Sequence, residues 1–511
     1  MKFIPVFIFI FLASVINTYS QSWDKTFELS AGSGTPMDRY GESVSISDDG
    51  DLIAVSAIGY IVDNKAEQGK VFIYGKDQAG WTLQSEILAS DGQVKDNFGM
   101  QLNLSGDGST LLVGAQRKTI DTNNYQGKVY VFSRNGNKWD ETASLIAYDG
   151  AASDQFGYSV GLSDDGTTAI VGATKANGNR GKAYVYFRTG STWELQGELV
   201  APIRTAGDAF GGAIKLTADG NIAFVSAYRK GTIGVTTQQG YVYVFTRTGT
   251  SWNYLATIQP SDKASYDHFG TSLDASSDGK ILVIGSLNKK LSNLDGVGKA
   301  YYFEKEGNNW IERSSFTAPD AAEGDYFGIV SLSDDGNTLL IGAGHKYVDT
   351  IIYQGKVYAY LKSGDEFVLK DEVFSGEPVH YDYFGADLAI SGNGKTAVIA
   401  APLRRTGDLT PQGEIYIYSN NLITEARIKN DGKHHFVVYP NPTDKQVNLV
   451  SEQFIENIRL ELFSSDGRLI DVSNYFGTNR IDYTVMGPNG VYLIKVFNDS
   501  EYIDTFKLEK R

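Results

Sequence analysis

The stretch DQFGYSVGLSDDGTTAIVGA, residues 154–173, contains the pattern that decides the fold. Its first four letters follow the form Asp-x-aromatic-Gly, which occurs seven times in the 511 residues. An aromatic residue stands 18 positions before the glycine of each step, as Trp139 does before Gly157. The glycines that end the steps are Gly41, Gly99, Gly157, Gly211, Gly270, Gly328 and Gly385. Such a constant period indicates one supersecondary unit stacked on itself.

Each repeat unit contains four segments with the alternation and turn signals of β-strands. In the third unit these segments are 156–163, 169–173, 181–188 and 193–200, and the short turns between them contain Asp, Gly and Thr. Four antiparallel strands per unit form a blade of a β-propeller. The sequence therefore predicts an all-β chain with a seven-bladed β-propeller of four-stranded antiparallel blades.

The two ends of the repeat region complement each other. The seventh unit stops after a third strand at 413–419, whereas residues 23–30 resemble a fourth strand that has no blade. We expect the N-terminal strand to close the last blade by pairing with residues 414–418, because a closed ring leaves no strand edge exposed. We also expect neighbouring sheets to crowd where every second strand holds a small residue: Ser56, Gly114, Gly172, Ser226, Gly285, Gly342 and Ala400.

The regions outside the repeats predict export and a second domain. Residues 1–20 combine Lys2 with a short apolar run and a small residue at the end, as a secretory signal peptide does. The propeller is expected at 21–420, a polar linker at 421–436, and a small C-terminal β-sandwich at 437–511. No segment of the mature chain has the ~20 apolar residues that a membrane span needs.

Composition excludes several classes of function. The formal net charge of −15 argues against binding to nucleic acid. Disulfides, thiol chemistry and cysteine-based metal sites are excluded because the chain has no cysteine. Only five histidines are present, and none lies in a nucleophile elbow or a His-Glu-x-x-His pattern. We therefore predict no catalytic residue.

Two families resemble parts of this chain. Phe156-Gly157 followed by Val171-Gly172-Ala173 resembles the FG-GAP repeats of integrin-α-type β-propellers, in their bacterial version, over residues 21–420. Residues 437–511 resemble the C-terminal sorting domain of type IX secretion substrates, through Tyr439-Pro440-Asn441-Pro442 and Asn489-Gly490-Val491-Tyr492. The second resemblance implies recognition by the secretion machinery, passage through the outer membrane, and release or attachment at the cell surface.

The repeats depart from the integrin type in their turns. Integrin-type repeats often carry an Asp-rich calcium loop between strands one and two, but a turn such as Asp48-Asp49-Gly50 holds only two carboxylates. Calcium takes six to eight oxygen ligands. We therefore predict no metal or other cofactor, and assign these residues to turn geometry. A metal held by loops distant in sequence is left open.

The loops between strands two and three share a face with those between strands four and one, and two features there suggest ligand contacts. Basic residues follow strand two in six units and include Arg117, Lys118, Arg229, Lys230, Arg404 and Arg405. They either attract an anionic ligand such as an acidic glycan or pair with acidic residues of the neighbouring loop. The second feature is a group of aromatic residues in the last two units, which suits either sugar binding or ordinary loop packing: His345, Tyr347, Tyr353, His380, Tyr381 and Tyr383.

These observations predict a secreted or cell-surface, non-enzymatic binding or adhesion protein. Its variable loops would meet an extracellular protein or polysaccharide. The alternatives are a carbohydrate-active lyase or hydrolase with its site at the mouth of the propeller channel, and a structural component of an extracellular layer.

Overall fold

The computed structural model describes residues 21–32, 37–78, 80–232, 237–377, 379–405, 411–422, 436–439, 446–464, 468–485, 488, 490–498 and 501–510. The predicted signal peptide and most of the predicted linker lie outside these residues, as does Pro440-Asn441-Pro442 of the sorting motif. The chain separates into a unit spanning Trp23–Asn420 and a second unit that contains the C-terminal residues. Within the described part, no helix is long and apolar enough to span a membrane.

The described residues of the first unit form seven four-stranded antiparallel sheets, as predicted. We number them blades 1 to 7 in chain order. The first strands are Tyr40–Ile46, Gln101–Leu104, Phe156–Leu162, Phe210–Leu216, Ser272–Ala275, Ile329–Leu332 and Asp387–Ile390. The second strands are Leu52–Ala57, Thr110–Ala115, Thr168–Ala173, Ile222–Ala227, Ile281–Ser286, Thr338–Ala343 and Thr396–Ala401. The third strands are Lys70–Asp77, Lys128–Asn135, Lys182–Thr189, Tyr241–Thr248, Lys299–Glu306, Lys356–Ser363 and Glu414–Leu422. The fourth strands of blades 1 to 6 are Gly80–Ile87, Lys138–Leu145, Thr192–Leu199, Ser251–Ile258, Asn309–Phe316 and Glu366–Val373.

The fourth strand of blade 7 is the N-terminal strand Gln21–Leu29, which is bonded to Glu414–Leu422. The predicted closure of the ring is therefore confirmed. Trp23 of this strand is buried in the core between blades 6 and 7, and its backbone N–H donates to Asp371 Oδ2 at 2.8 Å. Two strands from opposite ends of the repeat region thus complete one sheet, and the third strand of blade 7 has no exposed edge.

The same backbone contact joins every blade to the next. The N–H of the aromatic residue in each Asp-x-aromatic-Gly step donates to the carbonyl just before the third-strand glycine of the preceding blade, as Phe156 does to Gln126 at 2.8 Å. Tyr40 makes the same bond to Gln412 at 2.8 Å and so links blade 1 to blade 7. Gly127, which follows Gln126, has a φ of +91°, and a Cβ there would lie 2.0 Å from the Phe156 oxygen. Only glycine adopts this positive φ readily and also fits where there is no room for a Cβ.

The small residues of the second strands lie where blades touch, as predicted. A Cβ added to Gly172 would lie 2.3 Å from the carbonyl oxygen of Gly211 in the next blade. The aromatic residues of the repeated steps fill the space beside this contact; Phe156 is fully buried and packs edge-on against Tyr184, with ring centres 5.5 Å apart. Close backbone approach and buried aromatic rings together set the spacing of the blades.

The C-terminal strands form a five-stranded antiparallel sheet. Its strands are Phe436–Tyr439, Gln446–Ser464, Leu469–Thr484, Gly490–Asn498 and Glu501–Lys510. The two longest strands pair with each other, and their register shifts between Val450 and Ile455. Such a shift bends a sheet. Apolar side chains from Val447 to Leu508 gather into one core, so this unit buries apolar side chains of its own.

One short helix, Ala176–Asn179, occurs in the described part of the chain, in the loop between the second and third strands of blade 3. Asn177 and Gly178 in its interior have left-handed backbone angles. This segment replaces the tight hairpin that the corresponding loop of blade 2 makes at Ile120 and Asn123. The loop between the second and third strands of blade 3 therefore differs in shape from that of blade 2.

Candidate functional site

The candidate site is the loop face of the propeller, which is formed by the connections between second and third strands and between fourth and first strands. The repeated aspartates lie beneath this face and hold its loops by hydrogen bonds. They are nearly fully buried, and Asp154, for example, is 8% exposed. Asp154 Oδ2 accepts the backbone N–H of Ala151 at 2.8 Å. Four other blades repeat this bond, on Asp96, Asp208, Asp267 and Asp325. The repeated aspartates therefore have a structural role in these five blades.

The residues on both sides of each repeated aspartate adopt left-handed backbone angles. In blade 7, Tyr381 has a φ of +64° and Tyr383 a φ of +58°, and the other six blades have positive φ at the same two positions. Because the conformation recurs in every blade, it belongs to the architecture of the turn. The side chains at these positions differ from blade to blade, so they give each sector of the loop face its own chemistry.

Half of the six predicted basic residues prove to be internal ion-pair partners. Lys118 Nζ lies 2.9 Å from Asp96 Oδ2, and Lys230 Nζ lies 2.7 Å from Asp208 Oδ2. Arg404 Nη1 makes the equivalent contact with Asp382 at 2.6 Å, and Lys289 and Lys346 repeat it in blades 5 and 6. All five side chains are buried. Pairing with the neighbouring loop is therefore confirmed for them, and Lys118, Lys230 and Arg404 are not available to a ligand.

The remaining predicted basic residues are more accessible, but they do not form a ring. Arg117 is exposed and its Nη1 lies 4.0 Å from Glu67 Oε2. Arg229 is exposed in blade 4, and Arg405 in blade 7 holds its guanidinium 5.7 Å from the ring centre of Tyr381. These three cations lie in separate sectors of the loop face, so each has to be considered with its own neighbours.

The predicted tyrosines and histidines of blades 6 and 7 do come together. We call Tyr326, His345, Tyr347, Tyr353, Tyr381 and Tyr383 the aromatic cluster. His345 lies at its centre, with ring centres 4.7 Å from Tyr326, 4.8 Å from Tyr383 and 5.1 Å from Tyr353. Tyr347 and Tyr381 both pack on Tyr353, at 5.2 and 5.8 Å. The two outer rings remain 45% and 38% exposed, respectively.

Two features make the aromatic cluster uncharged and well supported. Burial lowers the pKa of His345, so its imidazole is neutral at pH 7. His380, beside the cluster, accepts the backbone N–H of Ile352 at Nδ1, at 3.0 Å, and its ring lies 6.3 Å from that of Tyr381. Tyr383 belongs to the predicted group, but Tyr326 does not. The signal for Tyr326 was its position directly after a repeated aspartate, where the side chain is free to vary.

A central channel of about 470 Å³ runs between the first strands of all seven blades. Glu42 and Asp387 line it. Burial raises the pKa of Asp387 to about 7, although it accepts the backbone N–H of Val44. Burial also raises the pKa of Glu42, against the opposing effect of Arg39, whose Nη2 lies 2.7 Å from Glu42 Oε2. The channel thus contains two carboxyl groups that hold protons more tightly than usual.

At the far end of the channel, the seven turns between first and second strands are joined by backbone hydrogen bonds. Each turn donates one bond to the next, beginning with Asp48 N–H to Gly106 at 3.0 Å and ending with Asn393 N–H to Asp48 at 3.0 Å. This ring brings together Asp48, Asp164 and Asp334, whose nearest carboxylate oxygens all lie within 4.8 Å of one another. These three groups could hold a divalent cation, although they supply fewer oxygens than calcium takes.

The acidic trio should make the stability of the propeller depend on pH. Burial, and then repulsion by Asp334 and Asp164, raises the pKa of Asp48 to about 7, while Lys215 acts in the opposite direction and Asp49 adds to the repulsion. The unfolded chain loses this proton near pH 4, so the native state is stabilised below that pH and progressively loses the stabilisation up to about pH 7. We expect Asp48→Asn to melt about 2 °C above wild type at pH 8 and at the same temperature as wild type at pH 4. The measurement is calorimetry in the presence of a chelator.

Asp165, in the adjacent position of the same kind of turn, is the matched control. Burial alone would raise its pKa, but hydrogen bonds from Ser163 and Thr167 lower it. Asp165→Asn should therefore melt below wild type at pH 8, opposite in sign to Asp48→Asn. Equal melting temperatures of wild type and Asp48→Asn at both pH values would show that the trio is not strained by its charge.

Family comparisons agree with this architecture. The FG-GAP repeat family matches residues 23–74, 81–132, 139–186, 252–303 and 310–360, and the secretion system C-terminal sorting domain family matches residues 437–508. The chain is an FG-GAP repeat propeller with a C-terminal secretion sorting domain. The sorting domain marks the protein as a type IX substrate that reaches the cell surface or the medium, and it implies contact with the secretion machinery.

Each FG-GAP match begins at the fourth-strand aromatic residue that recurs 18 positions before the repeated glycine. The family repeat is therefore offset from the blade by one strand, and the first match starts in the N-terminal strand that closes the ring. The units that begin at Trp193 and Phe367 are not matched, but they form sheets of the same topology. The same four-stranded topology thus extends over all seven blades.

The solved structures that resemble this chain share little sequence with it. No curated protein sequence matches the chain. The periplasmic gluconolactonase PpgL of Pseudomonas aeruginosa is 17% identical, with a TM-score of 0.41 over 66% of this chain and 86% of that one. A putative 6-phosphogluconolactonase from Bacteroides uniformis is 12% identical, with a TM-score of 0.44 over 66% and 87%. U3-55K is 11% identical, with a TM-score of 0.48 over 78% and 98%.

Proposed function

We propose that this FG-GAP propeller is a non-enzymatic binding protein, outside the cell or on its surface, whose loop face binds an extracellular polysaccharide through the aromatic cluster. The observation that carries the proposal is the pair Tyr347 and Tyr381. Both rings are partly exposed, and both rest on Tyr353. They occupy the face on which loop sequences vary between blades.

The construction of the aromatic cluster suits a sugar. Its exposed members are tyrosines, which combine a flat apolar ring with a hydroxyl that can donate or accept a hydrogen bond. The contacts beneath them fix the rings before a ligand arrives, which reduces the entropy lost on binding. Arg405 lies over Tyr381 and adds a cation at the edge of the cluster.

Replacing both outer rings tests the proposal. We expect Tyr347→Ala combined with Tyr381→Ala to weaken polysaccharide binding at least about tenfold, equal to about 1.4 kcal/mol, because two stacking surfaces are lost. The measurement is affinity electrophoresis of the full chain against a panel of neutral and acidic polysaccharides. Thermal unfolding of the variant should stay close to that of wild type, since the two rings are at the surface.

Tyr125 provides the matched control. It precedes Gln126-Gly127 in blade 2 as Tyr353 precedes Gln354-Gly355 in blade 6, and it is also exposed, but it lies outside the aromatic cluster. Tyr125→Ala should bind as wild type does. Equal binding by the double variant, or no binding of the wild type to any polysaccharide in the panel, would contradict the proposal.

One observation favours a second candidate, a carbohydrate-active enzyme. Glu42 and Asp387 line the channel, and the raised pKa of Asp387, about 7, is suited to a general acid. The same polysaccharide incubations, analysed for new reducing ends and unsaturated products, decide between the two. Product formation that disappears in Asp387→Asn would replace the binding proposal with an enzymatic one.

A further inference from the structure

A pocket of about 580 Å³ opens on the loop face between blades 3 and 4, in a different sector from the aromatic cluster. Blade 3 contributes Tyr158 and Lys175, and blade 4 contributes Tyr228 and Arg229. Gln155 and Asn179 add side-chain amides to the wall. The volume is in the range of pockets that hold small ligands.

The charges at this pocket are one-sided. Lys175 and Arg229 both line it, and no carboxylate does. Within the described residues, neither cation has an acidic partner within 4.0 Å. Residues 233–236, which lie outside the described part, read Ile-Gly-Val-Thr and carry no charge. Two unneutralised cations at one opening are unusual in a chain whose net charge is −15.

Comparison of the blades explains why these two cations have no role in the internal ion pairs. In blade 4 the buried aspartate is neutralised by Lys230, so the preceding residue, Arg229, is not needed for it. Blade 3 has Ala176 where blade 4 has Lys230, so Asp154 has no lysine at the position that neutralises Asp208. Lys175 remains exposed. Both cations thus lie outside the internal ion-pair scheme of the blades.

Two of the residues that line the pocket, Tyr158 and Tyr228, meet at their hydroxyl groups. The hydroxyl oxygens of Tyr158 and Tyr228 lie 3.4 Å apart, and both residues also line the central channel. The Tyr228 ring lies over Gly212, where a Cβ would come within 2.4 Å of Tyr228 Cδ1. The guanidinium of Arg229 is held 5.3 Å from the centre of the Tyr228 ring. A cation, an aromatic face and two hydroxyls therefore converge at one opening.

We infer that this pocket binds an acidic sugar residue, with Lys175 and Arg229 contacting its anionic group and the two tyrosines contacting its ring and hydroxyls. Charge-assisted hydrogen bonds from a lysine and an arginine suit carboxylate and sulfate oxygens alike. The inference is independent of the aromatic cluster, because no residue of the cluster lines this pocket. It gives the loop face a second contact at which sugar charge is recognised.

The test is calorimetric titration of the full chain with trigalacturonate, a sulfated galacto-oligosaccharide and the uncharged galacto-oligosaccharide. We expect one or both acidic sugars to bind, the uncharged sugar to bind at least about tenfold more weakly, and affinity to fall between about 50 and about 300 mM NaCl. The carboxylate and sulfate arms identify which anion is preferred. Equal affinity for the uncharged sugar, or no binding of either acidic one, overturns the inference.

Variants locate the binding. Lys175→Gln combined with Arg229→Gln should weaken acidic-sugar binding at least about tenfold, and both side chains are exposed, so the variant should unfold at the wild-type temperature. Arg117→Gln is the matched control, because Arg117 occupies the position of Arg229 in blade 2, outside the pocket. Unchanged affinity in the double variant overturns the inference and leaves the aromatic-cluster proposal untouched, which the tyrosine variants test separately.

Discussion

Removal of residues 22–30 should abolish cooperative unfolding of the propeller at the wild-type temperature and leave an aggregating chain. These residues include most of the strand Gln21–Leu29, which pairs with Glu414–Leu422 and completes blade 7. The deletion removes the buried Trp23, whose truncation alone is expected to cost about 3–5 kcal/mol. Total stabilities of domains are only about 5–15 kcal/mol. The exposed edge of Glu414–Leu422 would then be open to pairing with other chains.

Circular dichroism melts and gel filtration measure this effect, and two point variants calibrate it. Trp23→Ala keeps the strand and should lose about 3–5 kcal/mol. Glu28→Ala, on the same strand but 56% exposed, should stay within about 0.5 kcal/mol of wild type. A truncated chain that melts as a monomer at the wild-type temperature would show that the ring does not depend on its N-terminal strand.

The second large effect is expected from one added methyl group, in Gly285→Ala. Gly285 lies in the second strand of blade 5, where a Cβ would come within 1.8 Å of the carbonyl oxygen of Gly328 in blade 6. The obstacle is backbone, and Gly328 is held by the bond from its N–H to Gly342 at 2.9 Å. The blades must therefore move apart. We expect a loss of about 3 kcal/mol, the upper end of the usual cost of overpacking, measured by urea unfolding.

Gly197→Ala is the control for this substitution. Gly197 lies in a fourth strand, and a Cβ there would have no atom within 4 Å. Its substitution should change stability by about 0.5 kcal/mol or less. Blades 1, 4 and 7 hold Ser56, Ser226 and Ala400 at the position of Gly285, so the spacing is set separately for each pair of blades. If Gly285→Ala unfolded at the wild-type urea concentration, the blade contact would not be as rigid as its geometry indicates.

Several features of the fold could be predicted because they are repeated. The buried aspartates, the small second-strand residues and the fourth-strand aromatic residues, of which Trp23 is the first, recur in the sequence in a fixed order. Asp154 accepts the N–H of Ala151 only three residues away, a bond decided by local chain geometry. A local contact that is needed in every blade leaves the same residue at the same place seven times, and this can be read without coordinates.

The residues of the loop face were predicted less completely, and the basic residues show why. Lys118 and Arg117 are adjacent, and in the sequence both looked like loop cations. Only the structure shows that Lys118 is turned inward to Asp96 and that Arg117 is exposed. The difference depends on whether each side chain points from the loop toward the interior or toward solvent. The same ambiguity separates Lys230 from Arg229, and so concealed the acidic-sugar pocket.

The sequence by itself determined the number of blades, their four-stranded topology, the closure by the N-terminal strand and the export of the chain, since each is carried by a motif or a period. Tertiary structure alone decided that Asp48, Asp164 and Asp334 meet, that His345 is ringed by tyrosines from two blades, and that Lys175 and Arg229 share one pocket. These groups come from separate turns and loops, so their distances depend on how far the ring rotates from one blade to the next. The angle between successive blades is set by the packing at all the contacts between them, so no single segment of the chain encodes it.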